Sequence, residues 1–381
     1  MSTKSPSKNS RPYALPFVEN GPVYTPGRAP ASDNNVKRWR LSSNESPLGT
    51  SQKVQDAVVQ AAATQHLYPD ADGLPLTQPI AEKFDLDPSR ILIAPGSDSI
   101  INWIVRGWAG PGDEVVYSAH GFQSYRIRAA TAGVTPVAAN EKGLRTDVDA
   151  LLGKVTDRTK LMFVANPNNP TGTYLTPTEI RDLRDRLRSD VMLVVDEAYF
   201  DFVRRDDYES AIHLVESGDD NVIVTRTFSK FYGLAGARVG WAYAPHTAMA
   251  PLTRMRGPFS ISNIGLAAAK AALEDDEYAA ISFAHNDQWV FWLKSELAAL
   301  GYETTDSVGN FVLMKIPGGD DAAIAFVQAL NNAGFSTRRA DQNGLLDWVR
   351  ISVGVEEANR GVIEAIKRCC QTNANQSLNG Q

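Results

Sequence analysis

The sequence predicts an α/β protein with a mostly parallel central sheet flanked by helices and a smaller α+β domain. Three observations lead to this fold class. The chain has 381 residues, more than one ordinary hydrophobic core accommodates. Short apolar runs rich in β-branched residues alternate with helical patterns from about residue 50. From about residue 264 the pattern changes to long helices with a few short strands.

The apolar runs that predict strands are short and bounded by turn residues, as expected for a sheet buried on both faces. In the large domain they lie at 91–94, 114–118, 161–165, 191–195, 222–225 and 239–244. Helical patterns lie at 53–64, 100–108 and 178–188. The small domain is predicted to contain helices 264–273 and 276–300, strand 311–315, a further helix and strand 348–352.

Four segments follow from these patterns. We expect residues 1–48 to form an arm that packs on the small domain or a partner subunit, with 1–10 disordered. Residues 49–263 form the large domain and 264–370 the small one, followed by a disordered tail at 371–381. Both ends are rich in Ser, Asn and Gln and bury too little apolar area to order themselves.

The composition argues against nucleic-acid and membrane partners. Hydrophobic residues make up 43% of the chain, charged residues 22%, and the net charge is -6, whereas nucleic-acid binding calls for a basic face. No apolar run approaches the roughly 20 residues of a membrane span, and the first residues lack the apolar centre of a signal peptide. Cys369 and Cys370 are adjacent, which fits neither a disulfide framework nor a zinc site. We therefore expect a cytoplasmic protein without a bound metal.

Polar residues cluster where the predicted strands end, which is where open parallel sheets bind ligands. Ser97, Asp98 or Ser99 is the expected N-cap of helix 100–108, and free N–H groups at such a helix start suit a phosphate. The other clusters are Asn166-Pro167-Asn168-Asn169-Pro170-Thr171-Gly172, Asp196-Glu197-Ala198-Tyr199, Thr227-Phe228-Ser229-Lys230 and Gly233-Leu234-Ala235-Gly236-Ala237-Arg238. Singly, each has an ordinary explanation as a cap, turn or surface residue, so the signal lies in their order.

In that order the clusters resemble the fold-type I aminotransferases, most closely the histidinol-phosphate aminotransferase family of class II. The resemblance runs from Tyr24-Thr25-Pro26-Gly27 to Arg350-Ile351-Ser352-Val353-Gly354. It implies a pyridoxal 5'-phosphate enzyme with a large cofactor-binding domain, which acts by ping-pong transamination. The substrates it implies are a small-molecule amino donor and a keto acceptor.

The resemblance assigns the reaction to a few of these side chains. Lys230 forms the Schiff base with the cofactor and then acts as the base that moves a proton. Asp196 pairs with the pyridine nitrogen and keeps it protonated, as a fixed charge in a water-poor site. Tyr199 and Asn169 hydrogen-bond the phenolic oxygen of the ring.

The resemblance also implies a phosphate site, made by Arg238, Thr227, Ser229 and the backbone around Ser97 and Asp98. Arginine suits this role because its planar fork binds phosphate bidentately.

Two further cofactor contacts are implied. The resemblance suggests that Tyr68 reaches the cofactor phosphate of a neighbouring subunit, and hence a homodimer with shared active sites. The ring stacked on the cofactor is Phe122, with His120 as the alternative, because the usual Pro-Thr-aromatic segment is replaced by Ala119-His120-Gly121-Phe122. The chain also has Ser99 where the family usually has Glu.

For the substrate, Arg350 matches the family arginine that meets the α-carboxylate, and Arg338 matches the one that meets the distal anion. Arg339 is adjacent to Arg338 and competes for that assignment. Tyr24 and Asn44 lie in segments that the family places at the substrate mouth, although Asn44 also suits a simple turn.

Histidinol-phosphate:2-oxoglutarate transamination, a step of histidine biosynthesis, is the function that the resemblance favours. An aromatic amino-acid aminotransferase on the same scaffold is the closest alternative, because its substrates also carry a flat ring. A threonine-phosphate decarboxylase-like lyase is a third possibility. A transcription regulator is a weaker hypothesis, because the acidic chain has only about 40 residues before the catalytic domain.

Overall fold

The computed structural model describes residues 13–26 and 37–378, with side chains through residue 370. The segment 1–10, which is predicted to be disordered, lies outside the described residues, as does Gly27 at the end of the segment Tyr24-Thr25-Pro26-Gly27. Among the helices in these ranges, none is long and apolar enough to cross a membrane.

The α-helices of the described chain are α1 (Pro16–Glu19), α2 (Gln52–Ala62), α3 (Leu74–Phe84), α4 (Ser97–Trp108), α5 (Gln123–Thr131), α6 (Val148–Leu152), α7 (Pro177–Arg186), α8 (Ile212–Glu216), α9 (His246–Met255), α10 (Asn263–Leu273), α11 (Asp276–Ala299), α12 (Gly319–Asn332) and α13 (Glu356–Leu378). The strands are β1 (Trp39–Arg40), β2 (Ile91–Ala94), β3 (Glu114–Ser118), β4 (Thr135–Ala139), β5 (Thr159–Ala165), β6 (Met192–Asp196), β7 (Val222–Thr227), β8 (Gly240–Tyr243), β9 (Phe311–Lys315), β10 (Phe335–Ser336), β11 (Arg338–Ala340) and β12 (Leu345–Ser352).

The large domain is built on a seven-stranded sheet with the order β2-β8-β7-β6-β5-β3-β4. β8 is antiparallel to both of its neighbours, and the other pairs are parallel. Both faces are covered, because Leu193 and Val195 of β6 join one apolar cluster while Met192 and Val194 join the other. The predicted fold class is confirmed, and the carboxyl ends of β5, β6 and β7 meet at one edge.

The small domain contains the antiparallel sheet β11-β12-β9 and its own apolar core. The predicted boundary at 263/264 is wrong, because α10 belongs to the large domain. Leu266, Ala269 and Leu273 of α10 are buried in the large-domain core, and the helix packs on α2 and α3. The boundary therefore lies between α10 and α11, since a helical pattern alone does not reveal which core the helix joins.

Helix α4 begins at Ser97, and its N-cap is Gly96 with φ 87° and no side-chain cap bond. The prediction of Ser97, Asp98 or Ser99 as the N-cap is therefore wrong. The turn needs the positive φ that glycine adopts without strain, and a Cβ atom at position 96 would lie 2.5 Å from Nη2 of Arg238 and displace that side chain.

The two ends of the chain also differ in part from the prediction. In the arm, β1 pairs in parallel with β10 of the small domain, whereas α1 lies against α5 of the large domain. At the other end, α13 continues to Leu378. The segment 371–378 is therefore helical rather than disordered, and 379–381 lie outside the described residues.

Candidate active site

A cavity of about 270 Å³ lies where the ends of β5, β6 and β7 face the small domain and the segment before α2. The predicted site residues that line it are Tyr24, Asn44, Ser97, Asp98, Phe122, Asn169, Asp196, Tyr199, Thr227, Ser229, Lys230, Arg238, Arg338 and Arg350. The structure thus brings together side chains that are far apart in sequence. Tyr68 does not line this cavity.

Lys230 lies three residues after the end of β7, in the wall of the cavity. Its Nζ donates a hydrogen bond to the carbonyl oxygen of Ser43, at 3.0 Å. Burial, together with the positive charge of Arg350, lowers the pKa of the amine from 10.5 to about 8. A neutral, nucleophilic amine is therefore accessible near neutral pH.

Asp196 is the last residue of β6 and only 4% exposed. Its Oδ2 accepts a hydrogen bond from the Tyr125 hydroxyl at 2.9 Å, and its Oδ1 accepts one from the Thr225 hydroxyl at 3.1 Å. Burial raises the pKa of the carboxyl to about 6, although the bonds from Tyr125 and Thr225 act in the opposite direction. A positive group placed beside it would stabilise its charged form.

Tyr199 and Asn44 connect the two domains at the edge of the cavity. Nδ2 of Asn44 donates to the Tyr199 hydroxyl oxygen at 2.9 Å, and Oδ1 of Asn44 accepts from the Ser352 hydroxyl at 2.8 Å. Asn44 has φ 54°, a left-handed conformation that Asn tolerates better than most residues. Burial raises the pKa of Tyr199 to about 12, so its hydroxyl keeps its proton.

Arg350 of β12 is buried and reaches across the cavity. Its Nη1 donates to Oδ1 of Asn169 at 2.5 Å, and its Nη2 donates to the carbonyl oxygen of Ser42 at 2.7 Å. Its Nε has no hydrogen-bond partner among the described residues. This guanidinium is thus fixed by neutral acceptors, and its charge remains available to an anion.

Arg238, Ser229 and Thr227 form a polar cradle beside the start of α4. Nη1 of Arg238 donates to the Ser229 hydroxyl oxygen at 3.3 Å, and the Thr227 hydroxyl donates to the same oxygen at 3.0 Å. Arg238 adopts φ 55°, a conformation that non-glycine residues rarely adopt. A Cβ atom at Gly240 would lie 2.5 Å from the amide nitrogen of Ser97, so the missing side chain lets the start of β8 approach the start of α4.

The carboxylate of Asp98 is already engaged. It forms an ion pair with Arg128 and accepts a hydrogen bond from Ser124, both on α5. Asp98 therefore connects α4 to α5, and its contribution to an anion site is the backbone N–H of the first helical turn rather than its side chain.

Arg338 and Arg339 point to different partners, which bears on their competing assignment. Nη2 of Arg338 donates to the carbonyl oxygen of Thr25 at 2.7 Å, next to Tyr24. Arg338 also lies opposite Arg350 in the β11–β12 pair. Arg339 forms an ion pair with Asp320. Because Arg338 donates to neutral oxygens and Arg339 is paired with a carboxylate, the positive charge of Arg338 is the less neutralised.

The aromatic candidates lie in different places. Phe122 lines the cavity and meets Tyr125 edge to face, at 5.8 Å between ring centroids. His120 is turned toward the small domain, with its Nδ1 2.6 Å from the carbonyl oxygen of Asn343. Tyr68 is 82% exposed and stacks on Phe259 at 4.6 Å. The geometry thus favours Phe122 over His120 as the ring that stacks on the cofactor.

The sequence did not predict several contacts of the candidate site. Tyr125 and Thr225 hold Asp196, although neither lies in the clusters that were singled out. The carbonyl oxygens of Ser42 and Ser43, which accept from Arg350 and Lys230, could not be predicted, because a backbone acceptor leaves no signal in the sequence. Thr225 was detectable, since a hydroxyl one strand over from Asp196 is its register partner in the β6–β7 pair.

Behind Asp196, a buried ion pair supports the ends of the two strands. Arg226 and Glu197 are 2.9 Å apart and almost fully buried, and the guanidinium lies 3.6 Å from the ring centroid of Phe200. Within the ranges that the structure describes, no group of His, Cys, Asp or Glu is arranged to hold a metal ion.

Comparison with known proteins agrees with this geometry. Residues 37–366 match the family model described as aminotransferase class I and II. The histidinol-phosphate aminotransferase of Paramagnetospirillum magneticum is 48% identical over 330 residues, covering 86% of this chain and 90% of the relative. That of Rhodopseudomonas palustris is 42% identical over 358 residues, covering 94% and 98%.

A solved structure gives the same result. The histidinol-phosphate aminotransferase of Sinorhizobium meliloti, solved in complex with pyridoxal-5'-phosphate, superposes with a TM-score of 0.84 at 28% identity and covers 95% of this chain and 100% of that chain. The chain therefore belongs to the class I and II aminotransferases, and within them to the histidinol-phosphate aminotransferase family.

Proposed function

We propose that this chain, a pyridoxal 5'-phosphate-dependent transaminase by family, converts imidazole-acetol phosphate and glutamate into histidinol phosphate and 2-oxoglutarate. One observation carries the proposal. A single cavity is lined by a lysine whose pKa is lowered by burial, by a buried aspartate and by two arginines on neighbouring strands. The 48% and 42% identical relatives, both named histidinol-phosphate aminotransferase, support this choice of substrate.

The residues present fit the cofactor. The Ser229 hydroxyl, the Arg238 guanidinium and the first N–H groups of α4 surround a space kept open by Gly96 and Gly240, which suits a phosphate. Lys230, at the other end of the site, would bond to the cofactor aldehyde. When bound, the cofactor supplies a ring that withdraws electrons from the substrate α-carbon.

In this proposal Lys230 acts twice. It would hold the cofactor covalently, and once a substrate amine had displaced it, its neutral amine would take the proton from the substrate α-carbon and release it again within the same half-reaction. Its lowered pKa favours the neutral form that such a base requires. The carbonyl oxygen of Ser43, which accepts from Nζ, keeps the amine aligned with the cavity.

Asp196 would keep the pyridine nitrogen of the bound cofactor protonated. Tyr125 and Thr225 fix its two oxygens, so the carboxylate is preorganised and does not need to reorient during the reaction. The pyridinium charge would counteract the burial that raises the pKa of Asp196.

We expect Tyr199 and Asn169 to hydrogen-bond the phenolic oxygen of the ring. The proton that Tyr199 retains is available for this bond, because the hydroxyl oxygen accepts from Asn44 and its hydrogen is free to donate. Phe122 offers the stacking ring.

Arg350 and Arg338 orient the substrate anions. Arg350 suits the α-carboxylate of glutamate, since its contacts to Asn169 and Ser42 leave its charge unneutralised. Arg338 suits the distal anion, with Tyr24 and Asn44 at the mouth of the cavity. Histidinol phosphate has no α-carboxylate, so its single phosphate has to be accepted by the same pair of arginines.

The test compares amino donors with 2-oxoglutarate as acceptor. We expect kcat/KM for histidinol phosphate to exceed that for phenylalanine and tyrosine by at least about a hundredfold, because a site built for a polar ring rejects a plain one. A preference for the plain aromatic acids would instead identify the aromatic aminotransferase. Release of carbon dioxide without a keto acid would identify the lyase.

The proposal includes a homodimer in which Tyr68 reaches the cofactor phosphate of the partner subunit. Its exposure and its absence from the cavity of its own chain support this role. Light scattering should give twice the chain mass, and Tyr68→Phe should weaken cofactor binding without changing that mass. A monomer with full activity would contradict it. We also propose a cytoplasmic location, supported by Cys369 and Cys370, which are both free thiols.

A further inference from the structure

Gln123 is a buried polar residue in the cavity wall, and the proposed reaction assigns it no role. It is the first residue of α5, directly after Phe122, and is 9% exposed. Its Nε2 donates to Oδ1 of Asn343 at 3.2 Å, while its Oε1 is buried and has no hydrogen-bond partner in the described part of the chain. A buried acceptor without a partner is costly, and native proteins rarely keep one without a reason.

The other amide side chains of the cavity wall have their oxygens engaged. Oδ1 of Asn44 accepts from Ser352, and Oδ1 of Asn169 accepts from Arg350. Oδ1 of Asn343 accepts from Gln123 itself. Among these amides, the oxygen of Gln123 is therefore the acceptor that still needs a donor.

Asn343 fixes the amide of Gln123 from the small domain. Its Nδ2 donates to the carbonyl oxygen of Gly121 at 2.8 Å, and its own carbonyl oxygen lies 2.6 Å from Nδ1 of His120. The side-chain nitrogen and the backbone carbonyl of Asn343 thus contact the loop before α5, while its side-chain oxygen accepts from Gln123 at the start of the helix. The turn that contains Asn343 follows β11, the strand that carries Arg338, so the amide and the anion-binding arginine are positioned by one segment.

We propose that the Gln123 amide oxygen accepts the ring N–H of an imidazole-bearing substrate, and so determines specificity for that ring over a phenyl ring. The inference rests on the proposed function, because it names the group that reads the substrate ring. An imidazole carries at least one N–H donor in either protonation state, whereas a phenyl ring carries none. The oxygen is buried in the substrate-free chain, so the terminal amide has to rotate toward the cavity, and the bond from the ring N–H then replaces the bond from Nε2 to Asn343.

The test uses two amino donors with the same phosphate-bearing skeleton: histidinol phosphate and its phenyl analogue, 2-amino-3-phenylpropyl phosphate. Gln123→Met has nearly the same length and lacks both polar atoms. We expect it to lower kcat/KM for histidinol phosphate about tenfold, as for the loss of one neutral hydrogen bond, and to leave that for the phenyl analogue unchanged. Gln123→Glu keeps an acceptor oxygen and should retain most of the preference for imidazole.

Ser42→Ala is the matched control, since the Ser42 hydroxyl is another buried cavity-wall oxygen without a partner among the described residues. It should change kcat/KM for the two donors by the same factor. Equal losses for both donors in Gln123→Met would show a structural role and overturn the inference, as would an unchanged preference. A wild-type enzyme that does not use histidinol phosphate at all would instead overturn the proposed function, so the two failures are distinguishable.

Discussion

The two halves of the active-site cavity are built differently. The large-domain half, with Asp196, Ser229, Lys230 and Arg238, lies where the buried strands β6 and β7 end and the adjacent β8 begins. The opposite half depends on contacts between distant parts of the chain, such as Arg350 with the carbonyl oxygen of Ser42, 308 positions away. Strand ends fixed by a sheet buried on both faces suit groups that must not move, whereas a half assembled from separate segments can adjust to different substrates. We therefore expect the chemistry to depend on the first half and substrate affinity on the second.

Lys230→Ala tests the first half most severely. We expect turnover to fall by at least about a thousandfold, because the covalent attachment and the base are lost together. The fold should survive, since a buried amine is replaced by an apolar group. Single-turnover assays and thermal unfolding would measure both effects, with the exposed Lys154→Ala as the control. A variant that retains a tenth of the wild-type rate would refute the assignment.

Asp196→Asn removes one charge and keeps the shape of the side chain. We expect a loss of about 10²–10³ in kcat, comparable to that of other preorganised electrostatic groups, while the cofactor stays bound through the Arg238 and Ser229 cradle. Cofactor absorbance and steady-state rates would separate the two effects. Asp190→Asn, an exposed carboxylate paired with Arg188, is the control. If cofactor binding and kcat fell in proportion, Asp196 would be a binding residue rather than part of the reaction.

Arg350→Lys tests the second half. A lysine cannot donate to Asn169 and Ser42 at once, because it lacks the planar fork of arginine. We expect kcat/KM for glutamate to fall about a hundredfold, mainly through KM, as for the loss of charged hydrogen bonds. The exposed Arg360→Lys is the control. A loss confined to kcat would contradict the division between the two halves, because it would place Arg350 in the chemical step.

The same division explains what the sequence could predict. The strands at 91–94, 114–118 and 311–315 are confirmed, because each is a short apolar run bounded by turn residues. The large-domain half of the site lies in contiguous clusters at such strand ends, so its members could be placed together before the structure was known.

What the sequence did not predict depends on tertiary contacts. Helices α3 and α9 each contain an internal proline, which opposes a helical prediction but is tolerated when tertiary packing compensates. The assignment of α10 to the large domain depends on its packing against α2 and α3. The partners of Asp196 and the backbone acceptors of Lys230 and Arg350 required the folded chain, because nothing in the local sequence marks them.

The smallest expected effect concerns the stability of the cofactor-free protein, where the two buried charges of the first half act in opposite pH windows. Burial lowers the pKa of Lys230 from 10.5 to about 8. Between these values the unfolded chain binds more protons than the folded one, so the free energy of unfolding rises with pH. Burial raises the pKa of Asp196 from 3.8 to about 6. In that window the folded chain binds more protons, so the free energy of unfolding falls as pH rises.

Two variants separate these contributions in urea unfolding curves recorded across pH. At pH 7 we expect both Lys230→Met and Asp196→Asn to be more stable than the cofactor-free wild type, each on the order of 1 kcal/mol, because each removes a buried charge. The advantage of Lys230→Met should shrink as pH rises from about 8 toward 10.5, and that of Asp196→Asn as pH falls from about 6 toward 3.8. If either difference stayed constant across its window, the pKa of that group would not be shifted by folding. A functional half that is more stable without its charges would show that these strand ends are optimised for the reaction and not for folding.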